Sequence, residues 1–581
     1  MKTPTAIALA LSLFSALAAS ASSPNSPEQD FDVVIRGGTI YDGTGGAPFV
    51  GDVGIVGQRV AYVGPHATAG GRTEIDANGK AVAPGFINML SWATQSLIVD
   101  GRGLSELSQG VTLEVMGEGA SMGPYSPAMK AEALSHQGDI KYPIDWTTLD
   151  EYLTGLTRRG VSQNVASFVG AATVRIHELG EDDVDPTPEQ LDRMRKLVDE
   201  AMEDGALGVG SSIIYAPGSY AETPELAALA TEAGRCGGIY ISHMRSEGDR
   251  LLEAVDELIE ISKESGAPAE IYHMKAGGRA NWAKQKAAIA RIEAARAQGQ
   301  RITADMYTYT AGSTGLDAAM PTWVQAGGTD AWIARLKDPE IRKKVLAEMR
   351  EEHPSFENLY LHAGAEGTLL VGFKNPALKP LTGKTLAEVA KARGESPEDT
   401  AIDLVIEDGS RVQVVYFLMS EDNVKELVGL PWMSFASDAS AQAPEGVFLK
   451  SSTHPRAYGN TARLLGKYVR DEHATTLASA VHRLTGLPAA NLGLHDRGLL
   501  KPGYYADVVV FDPATIADHA TYENPHQLST GVEWVLVNGE TALMDGRATD
   551  ARPGQVVRGR GWTGWPDGGC RVSAKDWTWA W

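Results

Sequence analysis

Apolar residues in the central part of the chain follow two spacings, one typical of buried strands and one typical of amphipathic helices. One apolar run ends at His243, residues 251–259 carry apolar side chains at helical spacing, and a second apolar run ends at His273. This order of strand, helix and strand is typical of a βαβ unit in a parallel sheet. The pattern predicts further strands at 164–170, 207–212, 301–309 and 433–438, and a helix over 187–204 with Thr187 as its N-cap.

Both ends of the chain carry short apolar runs separated by Gly-Gly, Asp-Gly and Asn-Gly turns. This pattern is found at residues 31–83 and 496–581, and it predicts strands joined by tight turns. We therefore expect an α/β protein with a (β/α)8 TIM-like barrel at 84–495 and a small β-sandwich domain formed by both termini. The alternation loosens at about 311–421, which predicts an insertion over the barrel mouth that acts as a lid.

Length and charge narrow the classes of function. A chain of 581 residues is long enough for a large catalytic domain and a smaller one. Its 52 basic and 74 acidic residues give a net charge of −22, which disfavours nucleic acid and anionic membranes as partners. The sequence predicts a small-molecule substrate and leaves the oligomeric state open, with a homo-oligomer among the alternatives.

The N-terminus has the features of an export signal. Residues 1–21 carry a lysine, an apolar run and a small-residue cleavage site, and 22–30 resemble a disordered leader, so we expect a periplasmic or secreted protein. No later segment approaches the length of a membrane span. Cys236 and Cys570 could form a disulfide or remain two separate thiols. We expect the Trp-rich tail at 562–581 to pack on another domain or subunit.

Four polar residues follow predicted barrel strands, at the end where such barrels place their active sites. They are Glu118, His243, His273 and Asp438. Taken singly, each is more typical of a core, turn or surface position. Taken together, a carboxylate and two imidazoles form a Glu-His-His metal site with an open coordination position, and Asp438 remains a free carboxylate. Zinc is the expected ion, although these ligands also suit Mn, Co or Fe.

Eight motifs are spread over nearly the whole chain, between residues 31 and 515. They lie at 34–44, 83–88, 110–112, 239–249, 307–314, 436–438, 454–459 and 503–513. Together they resemble the N-acyl-D-amino-acid deacylase (D-aminoacylase) branch of the amidohydrolase superfamily. The resemblance implies a metal-dependent amide hydrolase that removes the acyl group from N-acyl amino acids, with D-amino acids expected. It also implies that metal-bound water attacks the amide, with Asp438 as general base.

The chain departs from this family at several metal-ligand positions. The usual His-x-His pair is replaced by Leu90 and Trp92, and the usual cysteine after the third strand is absent from the Gly-Glu118-Gly stretch. Ala171 stands where the family tends to have a histidine. The pattern is similar to that of single-metal members such as the N-acetylglucosamine-6-phosphate deacetylases. The departures therefore predict one ion, held by Glu118, His243 and His273.

Candidate substrate contacts come from spacing and from the resemblance. Lys275 follows His273 by two residues, so on a strand end it would share a face with the ligand and pair with a substrate carboxylate; the alternative is a solvated loop lysine. Tyr215 and Tyr309 match tyrosines near the family's substrate site and could donate to an oxyanion, or simply pack in the core. Arg245 is a further candidate, although a supporting network with neighbouring groups suits it better.

Two alternatives to a deacylase remain open. The bulky Leu90 and Trp92 could reshape the pocket for another carboxylate-bearing amide, such as a dipeptide, a cyclic amide or a xenobiotic amide. The loss of metal-ligand positions could also leave a catalytically dead protein that only binds a ligand. The joint presence of the Glu-His-His set and Asp438 argues against this second alternative.

Overall fold

The computed structural model describes residue 1, residues 30–566 and residues 569–570 of the chain. Residues 2–29, which cover the predicted signal peptide and leader, and residues 571–581 of the tail lie outside the described residues. The strands are β1 Phe31–Ile40, β2 Phe49–Val56, β3 Arg59–Gly64, β4 Gly71–Asp76, β5 Ala81–Pro84, β6 Phe86–Asn88, β7 Val111–Met116, β8 Asn164–Ser167, β9 Val169–Gly170, β10 Gly208–Ser212, β11 Ile239–His243, β12 Ala269–Ile271, β13 Ile302–Met306, β14 Gly312–Gly315, β15 Thr368–Gly372, β16 Gln413–Tyr416, β17 Met433–Phe435, β18 Val508–Phe511, β19 Val532–Val537, β20 Glu540–Met544 and β21 Arg547–Ala548.

The helices fill the connections between these strands, and most of them lie between β7 and β18. A π-helical segment, Leu464–Asp471, directly follows the α-helix that ends at Arg463. The α-helices are α1 Ser96–Val99, α2 Leu104–Leu107, α3 Pro127–Ser135, α4 Leu149–Arg159, α5 Ala171–Leu179, α6 Pro188–Glu203, α7 Thr223–Arg235, α8 Leu251–Ser265, α9 Gln285–Ala297, α10 Gly328–Leu336, α11 Pro339–Glu348, α12 Leu359–Ala363, α13 Leu386–Arg393, α14 Pro397–Asp408, α15 Glu421–Val428, α16 Arg456–Arg463, α17 Leu477–Leu484 and α18 Gly486–Asn491.

Both ends of the chain contribute to one β-rich domain. Its nine-stranded sheet has the order β21-β20-β19-β18-β5-β1-β2-β3, with β4 paired to β1. The two ends join where β5 pairs antiparallel with β18, with Val509 opposite Ala83. Alternating apolar side chains from the N-terminal and C-terminal strands, including Val53 and Val508, share one buried cluster. The prediction that the two termini fold together is confirmed at this seam.

The central strands form a closed parallel barrel of eight strand positions. One sheet has the order β9-β10-β11-β12-β13-β17 and another the order β6-β7-β8. Phe168 continues from β8 into β9 while donating its N–H to Met116 of β7. The barrel closes where Met89 donates to Phe435 and Ser91 pairs with Ala439 in parallel register. All strand ends therefore point to one mouth, as the sequence predicted.

Helices on the outside of the barrel begin where the sequence carries capping signals. The Thr187 side chain accepts the N–H of Gln190, whose side chain in turn reaches back to the Thr187 N–H, so α6 begins in a capping box. Such a cap contributes about 1 kcal/mol to helix stability. Met194, Val198 and Met202 lie on the buried face of this helix. The predicted helix over 187–204 is thus observed.

A long segment between β13 and β17 covers one side of the barrel mouth. It contains the three-stranded sheet β14-β16-β15 and helices α10 to α14. This segment has its own apolar core, which includes Leu316, Trp332, Leu404 and Val414. Because it packs as a unit, it can present side chains over the mouth without disturbing the barrel strands.

The two cysteines, which the sequence leaves either paired or separate, are paired in the structure. Cys236 and Cys570 form a disulfide across 334 residues of sequence, which ties the C-terminal segment to the end of α7. Among the described residues, no helix combines the length and the apolar character that crossing a bilayer requires.

Candidate metal centre and active site

Three side chains from three strand ends meet at the barrel mouth. Glu118 Oε1 lies 3.1 Å from His243 Nδ1 and 3.1 Å from His273 Nε2. The two imidazole rings are 4.5 Å apart between centroids and nearly perpendicular, and all three side chains are buried. Burial alone would raise the pKa of Glu118, but the hydrogen bonds with His243 and His273 hold that pKa below its ordinary value. The carboxylate is therefore ionised.

The backbone around Glu118 requires the two glycines that flank it. Gly117 and Gly119 have φ angles of 107° and 65°, in the region that L side chains rarely adopt. A Cβ at Gly117 would lie 2.4 Å from Phe168 O, and one at Gly119 would lie 2.5 Å from Ser212 Cβ. The Gly-Glu-Gly stretch thus turns the chain tightly enough to direct the carboxylate at the histidines.

Two of the other strand-end residues also have left-handed backbone conformations. His273 has φ 35° and Asp438 has φ 50°, values that are uncommon outside glycine and concentrate at functional sites. The His273 N–H donates to Asp305 Oδ1 at 2.7 Å, which holds the backbone at the end of β12. The predicted strand 433–438 ends at Phe435, and Asp438 lies three residues beyond it in the following loop.

Glu247 lies behind both imidazoles, four residues after His243. Its Oε1 is 2.9 Å from His273 Nδ1, its Oε2 is 3.7 Å from His243 Nε2, and Lys275 donates to it as a buried ion pair. His273 Nδ1 also lies 2.8 Å from Lys275 Nζ. When His273 Nε2 binds a cation, the ring proton must lie on Nδ1, and the Glu247 carboxylate is the neighbouring group able to accept it. Glu357 accepts the Glu247 N–H at 2.9 Å and fixes this loop.

On the opposite side, Trp92 joins Asp438 to the ligand carboxylate. Its indole Nε1 lies 3.1 Å from Glu118 Oε2 and 3.1 Å from Asp438 Oδ1. Arg456 pairs with the other oxygen of Asp438 at 2.8 Å. Burial raises the pKa of Asp438, and the guanidinium of Arg456 opposes that shift. The two neighbours therefore hold Asp438 in one orientation while it keeps the capacity to accept a proton.

These groups line one cavity of about 660 Å3, a size typical of small-molecule sites. Arg456 is 2% exposed, and its guanidinium carbon lies 4.4 Å from the centre of the Tyr307 ring. Its Nε and Nη1 have no hydrogen-bond partner among the described residues. Arg456 already pairs with Asp438 through Nη2, so Nε and Nη1 remain for a further acceptor in the cavity. The covering segment completes the wall with Thr314, Leu359, Val371, Arg411, Gln413 and Tyr416.

The cavity includes two of the four predicted substrate contacts. Lys275 and Tyr215 line it, and the Tyr215 ring lies 5.2 Å from the His243 ring. Arg245 lies outside this lining, because its guanidinium binds Glu257 and two backbone carbonyls. Tyr309 also lies outside it, with its hydroxyl on Asp518 at 3.3 Å. We therefore leave these two residues out of the substrate site.

Sequence reasoning missed three residues of this site. Glu247 lies four residues after His243, a helical spacing that could have indicated a shared face. Arg456 lies in the recognisable 454–459 motif, to which we assign no role from sequence. From sequence, Trp92 is a lost ligand position and a bulky group in the pocket, but its hydrogen bond to Asp438 joins positions 346 residues apart. No local pattern reveals such a contact.

The Glu-His-His cluster has the composition and spacing that a divalent cation requires. The ligand atoms of Glu118, His243 and His273 all lie within 4.8 Å of one another. One carboxylate and two neutral imidazoles suit zinc and leave coordination positions open. The buried His243 Nε2 has no hydrogen-bond partner among the described residues, so Nδ1 is the nitrogen that faces the other two ligands.

A sequence profile described as the amidohydrolase family matches residues 73–543, well over half of the chain. The chain belongs to the amidohydrolase family. Its barrel with a β-rich domain is the architecture that the resemblance implied, and that expectation is confirmed. As a member of this family, the chain is an enzyme that acts on amide bonds. Its Glu-His-His cluster supplies ligand atoms for a divalent metal ion.

Relatives of this amidohydrolase match it nearly end to end. D-aminoacylase of Alcaligenes xylosoxydans xylosoxydans is 32% identical, over 92% of this chain and 98% of its own length. N-acyl-D-glutamate deacylase of the same organism is 33% identical, over 91% and 97%. A crystal structure of N-acyl-D-glutamate deacylase from Bordetella bronchiseptica with zinc and a phosphonate inhibitor superposes with a TM-score of 0.75 at 31% identity, over 91% of this chain and 100% of that one.

The solved structure of a D-aminoacylase provides a comparison for the number of bound metal ions. It superposes with a TM-score of 0.76 at 32% identity, covering 91% of this chain and all of the other. That D-aminoacylase has a binuclear metal centre, in which one metal ion activates the enzyme and the second attenuates it.

Proposed function

We propose that this amidohydrolase removes the acyl group from N-acyl-D-amino acids with one zinc ion held by Glu118, His243 and His273. The observation that carries the proposal is the meeting of this ligand set with a separate buried carboxylate, Asp438, in one cavity. The relatives named as D-aminoacylase and N-acyl-D-glutamate deacylase support the substrate class.

The substrate carboxylate would bind at Arg456 and Lys275. Arg456 pairs with Asp438 through Nη2 and keeps Nε and Nη1 for a second carboxylate. Lys275, which pairs with Glu247, adds another positive charge on the cavity wall. These two cations would orient the substrate by its α-carboxylate, so that the scissile amide lies over the Glu-His-His cluster. Thr314, Gln413 and Arg411 of the covering segment would contact the side chain or acyl group of the substrate.

Asp438 would act as the general base and then as the general acid. It would accept a proton from the attacking water and pass it to the amine nitrogen as the amide bond breaks. Burial raises its pKa toward the working range of such a base. The bound zinc would lower the pKa of the attacking water and polarise the amide carbonyl. Glu247 keeps the Nδ1 proton of His273 in place, so that Nε2 stays available as a ligand.

The Tyr215 hydroxyl would donate a hydrogen bond to the carbonyl oxygen as negative charge develops there. Burial raises the pKa of Tyr215 well above its ordinary value, so the hydroxyl remains protonated at neutral pH. A preorganised donor of this kind contributes about 100- to 1,000-fold to turnover in other hydrolases.

A hydrolysis screen tests this function. Purified protein would be offered N-acetyl derivatives of D- and L-amino acids, dipeptides and cyclic amides, with and without chelator. We expect chelator-sensitive release of the amine from N-acyl-D-amino acids. Preferred hydrolysis of dipeptides or cyclic amides would favour the alternative substrate class, and zinc-free protein with no hydrolysis would favour a ligand-binding role.

We also propose that the chain is exported to an oxidising compartment. The apolar N-terminal run and the Cys236–Cys570 disulfide both support this location, because disulfides persist outside the cytoplasm. Mass spectrometry of the mature N-terminus tests it: processing near residue 21 is expected, and an intact N-terminus in the cytoplasmic fraction would contradict it.

A further inference from the structure

Trp92 lies where the metal-binding side of the cavity meets the side that carries the base. Its single N–H is shared between Glu118 Oε2 and Asp438 Oδ1, at 3.1 Å from each. Both acceptors are carboxylates in a desolvated setting: Glu118 is 4% exposed and the Asp438 side chain 11%. Two such anions that converge on one point are stabilised by a hydrogen-bond donor or a cation between them.

We propose that Trp92 occupies the place between these carboxylates at which a second metal ion would otherwise bind, and that its N–H positions Asp438. The chain then binds one zinc ion. The proposal rests on the proposed function, since it concerns the metal centre and the base of that reaction. A D-aminoacylase relative is described as binuclear, so the fold accommodates a second ion when the side chains permit it.

The surroundings of Trp92 support the exclusion of a second ion. Leu90 is fully buried in the apolar interior of the barrel and offers no ligand atom. Asp438 is not among the three residues whose ligand atoms cluster at the mouth. A cation placed between Asp438 and Glu118 would have to displace an indole that is part of the chain. Elsewhere in the described residues, the one other close group of potential ligands includes both cysteines of the disulfide.

The same contact explains how Asp438 is held. Trp92 binds one carboxylate oxygen and Arg456 binds the other. Each oxygen can accept two hydrogen bonds, so one lone pair on each remains for the water. The indole thus orients the base in the way that a second ion would, without drawing Asp438 into a coordination bond.

Metal counting tests the exclusion. Wild-type protein and Trp92→His would be dialysed against a series of free zinc concentrations, and bound zinc would be measured by mass spectrometry. We expect one equivalent in the wild type throughout. In Trp92→His, an imidazole beside two carboxylates should bind a second equivalent as zinc rises. Two equivalents in the wild type, or one in the variant at every concentration, would overturn the exclusion. The number of bound zinc ions tests the exclusion of a second ion even if the protein hydrolyses no N-acyl amino acid.

Removal of the N–H alone tests the positioning role. Trp92→Phe keeps an aromatic ring without a donor or a ligand atom, so it should retain one equivalent of zinc. We expect kcat to fall about 10- to 100-fold while KM changes less than about threefold, because Asp438 loses one of its two anchors. Trp323→Phe is the matched control, since Trp323 donates a similar bond to Glu348 outside the cavity. An unchanged kcat in Trp92→Phe would contradict the positioning role.

Discussion

Replacement of Glu247 tests how much the metal site depends on a residue that is not itself a ligand. The carboxylate lies 2.9 Å from His273 Nδ1 and 3.7 Å from His243 Nε2, and it pairs with buried Lys275. Partners of this kind typically contribute 10- to 100-fold to metal affinity, or about 1.4–2.7 kcal/mol. We expect Glu247→Gln to weaken zinc binding by about 10-fold, because its amide oxygen still accepts from His273. Glu247→Ala should approach about 100-fold.

The same substitutions should lower stability for a separate reason. Lys275 and Glu247 each have side chains only 5% exposed, and removal of one partner leaves a buried charge unpaired. Breaking such a pair costs about 3–5 kcal/mol, although protonation changes and water entry reduce this where they occur. We therefore expect a lower free energy of unfolding in the metal-free variants, measured by urea denaturation.

Competition with a chromophoric zinc chelator would give the affinities of the wild type, both Glu247 variants and Glu260→Gln. The last variant makes the same charge change at an exposed position of α8 and should behave as the wild type. Zinc affinities within about twofold of the wild type in both Glu247 variants would refute the reasoning, because Glu247 would then orient neither imidazole.

Further predictions concern the ligand, the base, the anion site and the disulfide. His273→Ala should lose zinc and activity, measured by metal analysis and hydrolysis; a variant that keeps both would remove His273 from the ligand set. Asp438→Asn should keep zinc but lose about 100- to 10,000-fold in kcat. Because burial raises the pKa of Asp438, wild-type kcat/KM should fall as pH drops through that raised pKa; an acidic limb that persists unchanged in Asp438→Asn would point to another base. Arg456→Lys should lower kcat/KM for all substrates, because Arg456 also holds Asp438, and the loss should be about 10- to 100-fold larger for carboxylate-bearing substrates than for the corresponding carboxamides; an equal loss for both would exclude an anion site. Cys570→Ser should lower the free energy of unfolding by about 2–5 kcal/mol in non-reducing buffer; unchanged denaturation would mean that the bond contributes nothing.

The sequence was sufficient to bring Glu118, His243 and His273 together as a candidate metal site, because strand ends are visible in hydrophobic periodicity. An apolar run that stops at a histidine marks a position at the barrel mouth, and His243 and His273 repeat this placement in adjacent units. Glu118 was detectable because two glycines isolate a single carboxylate after a strand. The helix capped by Thr187 followed from local hydrogen-bond chemistry alone. All these features depend on neighbours in sequence.

The residues that sequence reasoning misplaced depend instead on how the chain bends after a strand. Period-two alternation would direct Tyr307 and Tyr309 to the same side, but β13 ends at Met306. Beyond that end, Tyr307 faces the cavity while Tyr309 packs against His454. The orientation of Arg245 is likewise set by a contact with another element, because its guanidinium pairs with Glu257 on α8. Contacts between elements decide such orientations, and no single segment encodes them.

The seam between β5 and β18 has a consequence for how the protein is made. Ala81–Pro84 finds this partner only after about 420 further residues have been synthesised. Until Val508–Phe511 emerges from the ribosome, the N-terminal strands present an open edge with unpaired amide and carbonyl groups. Such an edge is prone to pair with other chains during that interval. Truncation before residue 508 should therefore yield aggregates, since a β-rich domain without its last strands leaves the first ones exposed.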